Sequence, residues 1–250
     1  LVKLGPGESA LNVAEVTTFR VEGRYTDKRH PDEIRFAKTI EEDLSRRDFT
    51  INAIAVKIEK GKAGDIIDPF HGQEDLGKRI VRAVGKPDER FMEDALRLLR
   101  AVRFASQLRF TIDGETQTAI ARHAGLLEDI AKERIRDEFI KLVMSESAGE
   151  GIIALKDFGL LRYIMPELEE GVGVGQNKHH IYTVYEHNLR AFEYSTTKKY
   201  SLEVRIASLL HDVGKPRSKR GDGPDSTFYG HEIIGAKMAF QMLNRLRFPK

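Results

Sequence analysis

The stretch Glu93-Asp94-Ala95-Leu96-Arg97-Leu98-Leu99-Arg100-Ala101-Val102-Arg103-Phe104 constrains the fold more than any other part of this 250-residue sequence. At roughly 100° per residue, the spacing predicts an amphipathic helix. Phe91, Ala95, Leu98, Leu99, Val102 and Ala105 share an apolar arc, while Arg97, Arg100 and Arg103 recur every third residue opposite, with Asp94 at the edge. Leu96 and Phe104 interrupt the cationic face, which predicts a face half-buried in a cleft. Without interleaved acids the three arginines repel one another, so the pattern calls for an anion, and phosphate fits the planar guanidinium fork.

Asp94 and Arg97, spaced i and i+3, are placed to act side by side on one ligand. An ionised carboxylate only accepts hydrogen bonds and a guanidinium only donates them. Cytosine and adenine each offer an exocyclic amine beside an acceptor ring nitrogen, whereas guanine and uracil put a carbonyl in the amine's place. The pair is therefore expected to take CTP and ATP and to reject GTP and UTP. An ordinary ion pair on a helix surface is the alternative that these two residues leave open.

Four segments decide between these readings: Arg46-Arg47-Asp48-Phe49-Thr50-Ile51-Asn52-Ala53, Asp68-Pro69-Phe70-His71-Gly72-Gln73-Glu74-Asp75-Leu76, Arg90 through Phe104, and Lys132-Glu133-Arg134-Ile135-Arg136-Asp137-Glu138. In this order, they resemble the successive motifs of the bacterial-type (class II) tRNA nucleotidyltransferases, the CCA-adding enzymes, which share their core with bacterial poly(A) polymerases. The resemblance runs from about residue 15 to about residue 166. It implies that Asp94 and Arg97 template C and A, and that Arg47, Arg100 and Arg103 contact the nucleotide. Asp48 and Asn52 are implied to orient Arg47 and the ribose.

The same resemblance implies phosphoryl transfer through a pair of Mg²⁺ ions that activate the attacking 3′-hydroxyl and neutralise the triphosphate. The family holds them on a Gly-Gly turn followed by Asp-x-Asp, and no such motif precedes Glu15, so the sequence is read as entering the head partway through. Glu15, on a predicted strand rich in β-branched residues, resembles a supporting third carboxylate. Residues 22–31, with Gly, Pro and mixed charge, predict a loop; the resemblance associates a loop here with A addition, either as CCA or as A alone.

Charge is nearly balanced, 41 Lys+Arg against 39 Asp+Glu, so affinity for the tRNA 3′ end must come from local clusters such as Arg97, Arg100, Arg103 and Arg109. Zero cysteines exclude a disulfide framework and a thiolate metal site. No apolar run approaches the ~20 residues of a membrane span, and a cytoplasmic location is expected. Strands are predicted over 10–20, 52–59 and 64–68, with a turn at 61–64 between the last two. A helix opening on Glu41-Glu42-Asp43 leads into Arg46. Gly85-Lys86-Pro87-Asp88 marks a boundary, beyond which nearly everything to Pro166 reads helical, and Gly171-Val172-Gly173-Val174-Gly175 reads as a loop.

After that loop the sequence places His187, the adjacent pair His211-Asp212 and His231 in a spaced pattern of metal-ligand types. Leu209-Leu210-His211-Asp212-Val213-Gly214-Lys215-Pro216 resembles the HD phosphohydrolase superfamily and the HD domain appended to many tRNA nucleotidyltransferases. The resemblance implies a divalent transition metal acting on phosphoesters, and a further Asp that would lie beyond Lys250. His180 reads as a loop residue.

The expected fold class is α+β. A partial nucleotidyltransferase α/β head with a mixed sheet (residues 1–84) precedes an all-helical neck (85–168) and an all-helical HD domain (169–250). The expected function is addition of C and/or A to tRNA 3′ ends from CTP and ATP without a nucleic-acid template. A bacterial poly(A) polymerase, an HD-type phosphohydrolase and a non-catalytic RNA-binding module are the competing readings.

Overall fold

The computed structural model describes residues 2–3, 13–14, 18, 20–22, 34–177 and 181–249. Glu15, His180 and most of the predicted 22–31 loop lie outside the described residues, as does much of the predicted 10–20 strand. The backbone pairs β1 (Val2–Lys3) with β2 (Val13–Ala14), and β3 (Arg20–Glu22) with β4 (Ile34–Phe36), both antiparallel.

Helix α1 (Ile40–Ser45) begins where Thr39 Oγ1 accepts the Glu42 N–H, and its three first-turn acids suit the positive end of the helix dipole. A single 3₁₀ turn, Thr50–Asn52, takes up Asn52, the residue expected to open the next strand, which starts instead at Ala55. β5 (Ala55–Glu59) and β6 (Lys62–Ile67) then form an antiparallel hairpin. It reverses at Lys60 and Gly61, with φ of 49° and 77°, so the turn sits slightly ahead of the predicted 61–64.

Helix α2 (Gly72–Lys78) follows, in a stretch whose apolar periodicity predicts no helix. It starts because the Asp68 carboxylate accepts the N–H groups of Gly72 at 2.7 Å and Gln73 at 2.9 Å. Gly72 is required by close approach: a Cβ there would lie 2.2 Å from the Thr50 carbonyl oxygen. Thr50 Oγ1 donates to Asp75 at 2.7 Å, so α2 is locked to the 3₁₀ turn and thus to the Arg-Arg-Asp segment.

β7 (Ile80–Val81) pairs in parallel with β8 (Thr111–Ile112), a strand inside the stretch that reads as helical. The helical region comprises α3 (Pro87–Glu93), α4 (Leu96–Leu108), α5 (Gly114–His123), α6 (Lys132–Val143), α7 (Ala148–Asp157), α8 (Leu161–Ile164) and α9 (Pro166–Glu169). Beyond the glycine-rich turn come α10 (Val184–Thr197), α11 (Leu202–Leu210), α12 (Lys215–Ser218) and α13 (His231–Arg245). A capping box between Thr183 and Glu186 fixes the start of α10. The α+β class stands: helices dominate, with small two-stranded sheets.

One apolar core runs from Phe49 and Phe91 through Leu98, Val102, Ile135 and Phe139 to Phe192, Leu209 and Met242. At about 1.5–3 kcal/mol for each fully buried large apolar side chain, it is the main force holding α4 against α6 and α7. A smaller cluster of Leu44, Ala53 and Val84 lies under the hairpin. Among the described residues, no helix is long and apolar enough to cross a membrane.

The helix expected to carry both Asp94 and Arg97 is broken. Helix α3 ends at Glu93, Asp94 is extended (φ −142°, ψ 103°), and α4 begins at Leu96. The cause is local: Asp94 Oδ1 accepts the Leu96 N–H at 3.1 Å, a side-chain-to-backbone bond that competes with helix continuation.

Candidate functional site

Asp94 and Arg97 therefore lie on either side of a helix start rather than along one helix face, joined by the Arg97 N–H donating to the Asp94 carbonyl at 3.0 Å. The Asp94 carboxylate is held twice, by the Leu96 N–H and, on Oδ2, by Arg134 Nη2 at 2.8 Å. The Arg97 guanidinium has its own partners, donating to Glu93 at 2.7 Å and to the backbone carbonyls of Arg90 at 3.2 Å and Arg46 at 2.9 Å. Glu93 is thus a partner that base-pairing logic alone does not single out, although its i,i+4 spacing from Arg97 carries a signal.

The expectation that the arginine ladder lacks acids is corrected. Arg97 has Glu93, Arg100 has Asp48, and Arg103 has Glu138. Arg100 Nε donates to Asp48 Oδ2 at 2.7 Å, while Asp48 Oδ1 accepts from the Phe49 N–H at 2.9 Å and Asn52 Nδ2 at 3.2 Å. Asp48 and Asn52 are thereby brought together with Arg100, not with Arg47 as the resemblance implied. Arg47 donates to Asp43 at 3.2 Å and keeps 42% of its side chain exposed, more than any arginine of the ladder.

Arg103 is sealed inside. Its Nε lies 2.5 Å from Glu138, Nη1 donates to Gln107 at 2.7 Å, and the guanidinium stacks 3.8 Å from the Phe104 ring centroid. Phe104 in turn meets the buried Phe49 edge-on at 5.7 Å. That contact explains why an aromatic interrupts the cationic face: it joins α4 to the Arg-Arg-Asp segment. Arg109, at the end of α4, pairs in solvent with Glu146.

A second cluster lies at the end of α11. Asp212 is buried, its N–H donates to Asn188 Oδ1 at 3.3 Å, and the Nε2 atoms of His187 and His211 each stand 3.4 Å from its Oδ2. Ligand atoms of His187, His211 and Asp212 all lie within 4.8 Å of one another. His231 Nε2 approaches the other oxygen, Oδ1, at 3.5 Å. His211 and His231 each place Nδ1 on a backbone carbonyl, of Ser208 at 2.8 Å and Phe228 at 2.7 Å. A carbonyl can only accept, so Nδ1 carries the proton and Nε2 offers its lone pair to the cluster.

The imidazole and carboxylate donors fit a divalent transition metal. The structure adds Lys215, whose i,i+3 spacing from Asp212 is the signal that points to it. Its buried ammonium sits 2.6 Å from Asp212 Oδ2 and 2.7 Å from Gln176 Oε1. Gly214 makes the cluster compact, since a Cβ there would lie 2.2 Å from the His231 carbonyl oxygen and 2.4 Å from the Gly235 nitrogen.

Residues 5–82 match the Poly A polymerase head domain, residues 109–171 the family described as "Probable RNA and SrmB- binding site of polymerase A", and residues 184–248 the HD domain. The chain belongs to the class II tRNA nucleotidyltransferase family with a fused HD domain. It is 41% identical over 220 residues to an A-adding tRNA nucleotidyltransferase of Deinococcus radiodurans, covering 84% of this chain and 49% of that one. It is 52% identical over 159 residues to a CCA-adding enzyme of Latilactobacillus sakei, covering 64% of this chain and 39% of that one. The chain thus spans half or less of the length of these curated relatives. The crystal structure of the Bacillus stearothermophilus CCA-adding enzyme in complex with CTP has 31% identity and a TM-score of 0.54, with 90% of this chain and 49% of that one covered. Nucleotidyltransferase and HD domains imply dependence on divalent metal.

Proposed function

We propose that the protein containing this chain adds C and/or A to the 3′ end of tRNA from CTP and ATP, without a nucleic-acid template, in the cytoplasm. The observation that carries this reading is the Asp94 carboxylate held by two donors at the α3–α4 junction, with the guanidinium of Arg97, one turn on, anchored to Glu93 and the Arg46 carbonyl. An acceptor and a donor so fixed select an amine-bearing base edge over a carbonyl-bearing one. The similarity to proteins named CCA-adding enzyme and A-adding tRNA nucleotidyltransferase supports the same reading.

In this proposal Arg47 and Arg100, the more exposed guanidiniums, bind the triphosphate. Asp48 and Asn52 orient Arg100 and the ribose. Arg97 and Asp94 read the base. Arg103 acts from behind, through its contact with Phe104. Mg²⁺ supplies charge neutralisation to the transfer step when bound, and Glu15 is assigned as a supporting carboxylate. The domain boundaries proposed are 1–84, 85–168 and 169–250.

His187, His211, Asp212 and His231 are proposed as ligands of a divalent transition metal serving phosphoester chemistry. The experiment for the main reading is incorporation of each nucleotide by the full-length protein into tRNA lacking its 3′ end. Asp94→Ala is expected to relax the preference for CTP and ATP while sparing triphosphate affinity. Unchanged selectivity refutes the base-reading assignment, and a long A tail from the unmodified protein favours a poly(A) polymerase.

A further inference from the structure

Selecting a base by hydrogen bonds within its plane demands that the reading carboxylate also have a fixed plane, because carboxylate lone pairs lie in that plane. A carboxylate held at one oxygen still turns about its Cβ–Cγ bond. Held at both, it does not. Asp94 is held at both: Oδ1 by the Leu96 N–H at 3.1 Å, and Oδ2 by Arg134 Nη2 at 2.8 Å. The first anchor is backbone and belongs to the junction itself. The second comes from α6, 40 residues further along the chain.

Arg134 is not optimally placed for its own stability. Its Nη1 is buried and makes no hydrogen bond among the described residues, a condition that costs folding free energy. Nor is the pair needed to dock α6 on α4. Arg103 and Glu138 already link these helices at 2.5 Å, within the core that contains Leu98, Val102, Ile135 and Phe139. Arg136, two residues further along α6, donates instead to Asp137 and to the Arg247 carbonyl. What Arg134 does uniquely is set the orientation of Asp94.

We propose that Arg134 is a positioning residue for base selection, acting through Asp94 and without itself touching the base. The inference rests on the reading of Asp94 given above. Substituting Arg134 frees the carboxylate to rotate, so that it offers no consistent acceptor to the exocyclic amine of cytosine or adenine. Discrimination against guanine and uracil falls, while the arginines that hold the triphosphate are untouched.

The test uses the full-length protein and four titrations, with CTP, ATP, GTP and UTP, on the unmodified protein and on Arg134→Gln, Arg134→Lys, Asp94→Ala and the double variant Asp94→Ala/Arg134→Gln. Arg134→Gln is expected to lower the affinity ratio of CTP and ATP over GTP and UTP by about tenfold, the worth of one well-placed hydrogen bond. Arg134→Lys, which keeps a donor and a charge but loses the planar fork, retains part of the ratio. The double variant falls no further than Asp94→Ala alone, because both changes remove one device. If Asp94→Ala relaxes selectivity and Arg134→Gln leaves it intact, the proposal for Arg134 is overturned and the base-reading role of Asp94 stands. If Asp94→Ala changes nothing, both fall. A uniform loss of affinity for all four nucleotides with unchanged ratios marks Arg134 as a fold strut and overturns the proposal; should Arg134→Gln not fold, Arg134→Lys decides by the same criterion.

Discussion

Arg100 and Asp48 are joined across 52 residues of sequence by a bond of 2.7 Å from Nε to Oδ2, and this bond ties the arginine-bearing helix to the Arg-Arg-Asp segment. Asp48 is 8% exposed and carries three donors, so it is a nearly buried carboxylate whose charge is matched by one guanidinium. Breaking such a pair from one side leaves the other charge uncompensated. Arg100→Ala is expected to destabilise the protein by about 2–4 kcal/mol. Urea unfolding followed by circular dichroism measures this, and a loss below about 0.5 kcal/mol, the range of ordinary surface substitutions, contradicts it.

Gly72 sits where α2 touches the 3₁₀ turn. A methyl group there meets the Thr50 carbonyl at 2.2 Å and Ile54 at 2.8 Å, and backbone cannot yield as a side chain does. Gly72→Ala is expected to cost about 2–3 kcal/mol by overpacking. Because Thr50 and Asp48 share one short segment, the same variant should also weaken CTP binding by the full-length protein. Normal melting with normal CTP binding counts against the coupling of α2 to the site.

How much of this was legible in the sequence depends on how far apart the partners lie. The periodicity of Arg97, Arg100 and Arg103 is a local signal and predicts α4 correctly. Their carboxylates are not local: Asp48 and Glu138 lie 52 and 35 residues away, so a ladder that seemed to need an external anion is neutralised within the fold. The break at Asp94 carried a weak signal, since Asp before an apolar periodic run favours a helix start, but the Glu93–Arg97 spacing argued equally for an unbroken helix. The His211-Asp212 pair was readable because the two ligands are adjacent. Lys215 is as local, three residues after Asp212, but spacing alone does not tell a partner of the carboxylate from a solvated lysine; its burial against Gln176, 39 residues away, does. Helix α2 leaves no periodic signal, because it starts from a carboxylate four residues upstream, after a left-handed His71 with φ 59°.

Glu167 and Arg245 join α9 to α13 by two parallel bonds of 2.7 Å each. Burial alone would push the Glu167 carboxyl up, but the Arg245 fork outweighs it and holds the group below the usual carboxylate range. The folded state therefore binds this proton more weakly than the unfolded chain. Stability from Glu167 is fully present above the unfolded value of about 4.3 and is lost as pH falls through the lower folded value. Glu167→Gln is accordingly expected to lower Tm at pH 7, with the difference shrinking steadily as the melts are taken to more acidic pH. A difference that does not change with pH shows that the loss comes from packing rather than charge.

The Lys215 ammonium lies 2.6 Å from Oδ2 of the buried Asp212, in the same cluster as His187 and His211. A divalent ion entering among His187, His211 and Asp212 must share that carboxylate with a fixed positive charge, and like charges at this distance oppose one another. Removing the ammonium leaves Asp212 buried with imidazole neighbours only, which destabilises the metal-free protein and favours a bound cation. Lys215→Ala is therefore expected to lower Tm without metal, to bind Mn²⁺ or Ni²⁺ about tenfold more tightly, and to gain more in Tm on metal addition than the unmodified protein does. The added His211→Ala change should abolish that gain, since it removes a ligand whose Nε2 lies 3.4 Å from Asp212. Titration calorimetry and thermal melts of the full-length protein measure both effects. Weaker metal binding by Lys215→Ala would mean that the ammonium instead orients Asp212 for the ion, which reverses the sign of this argument.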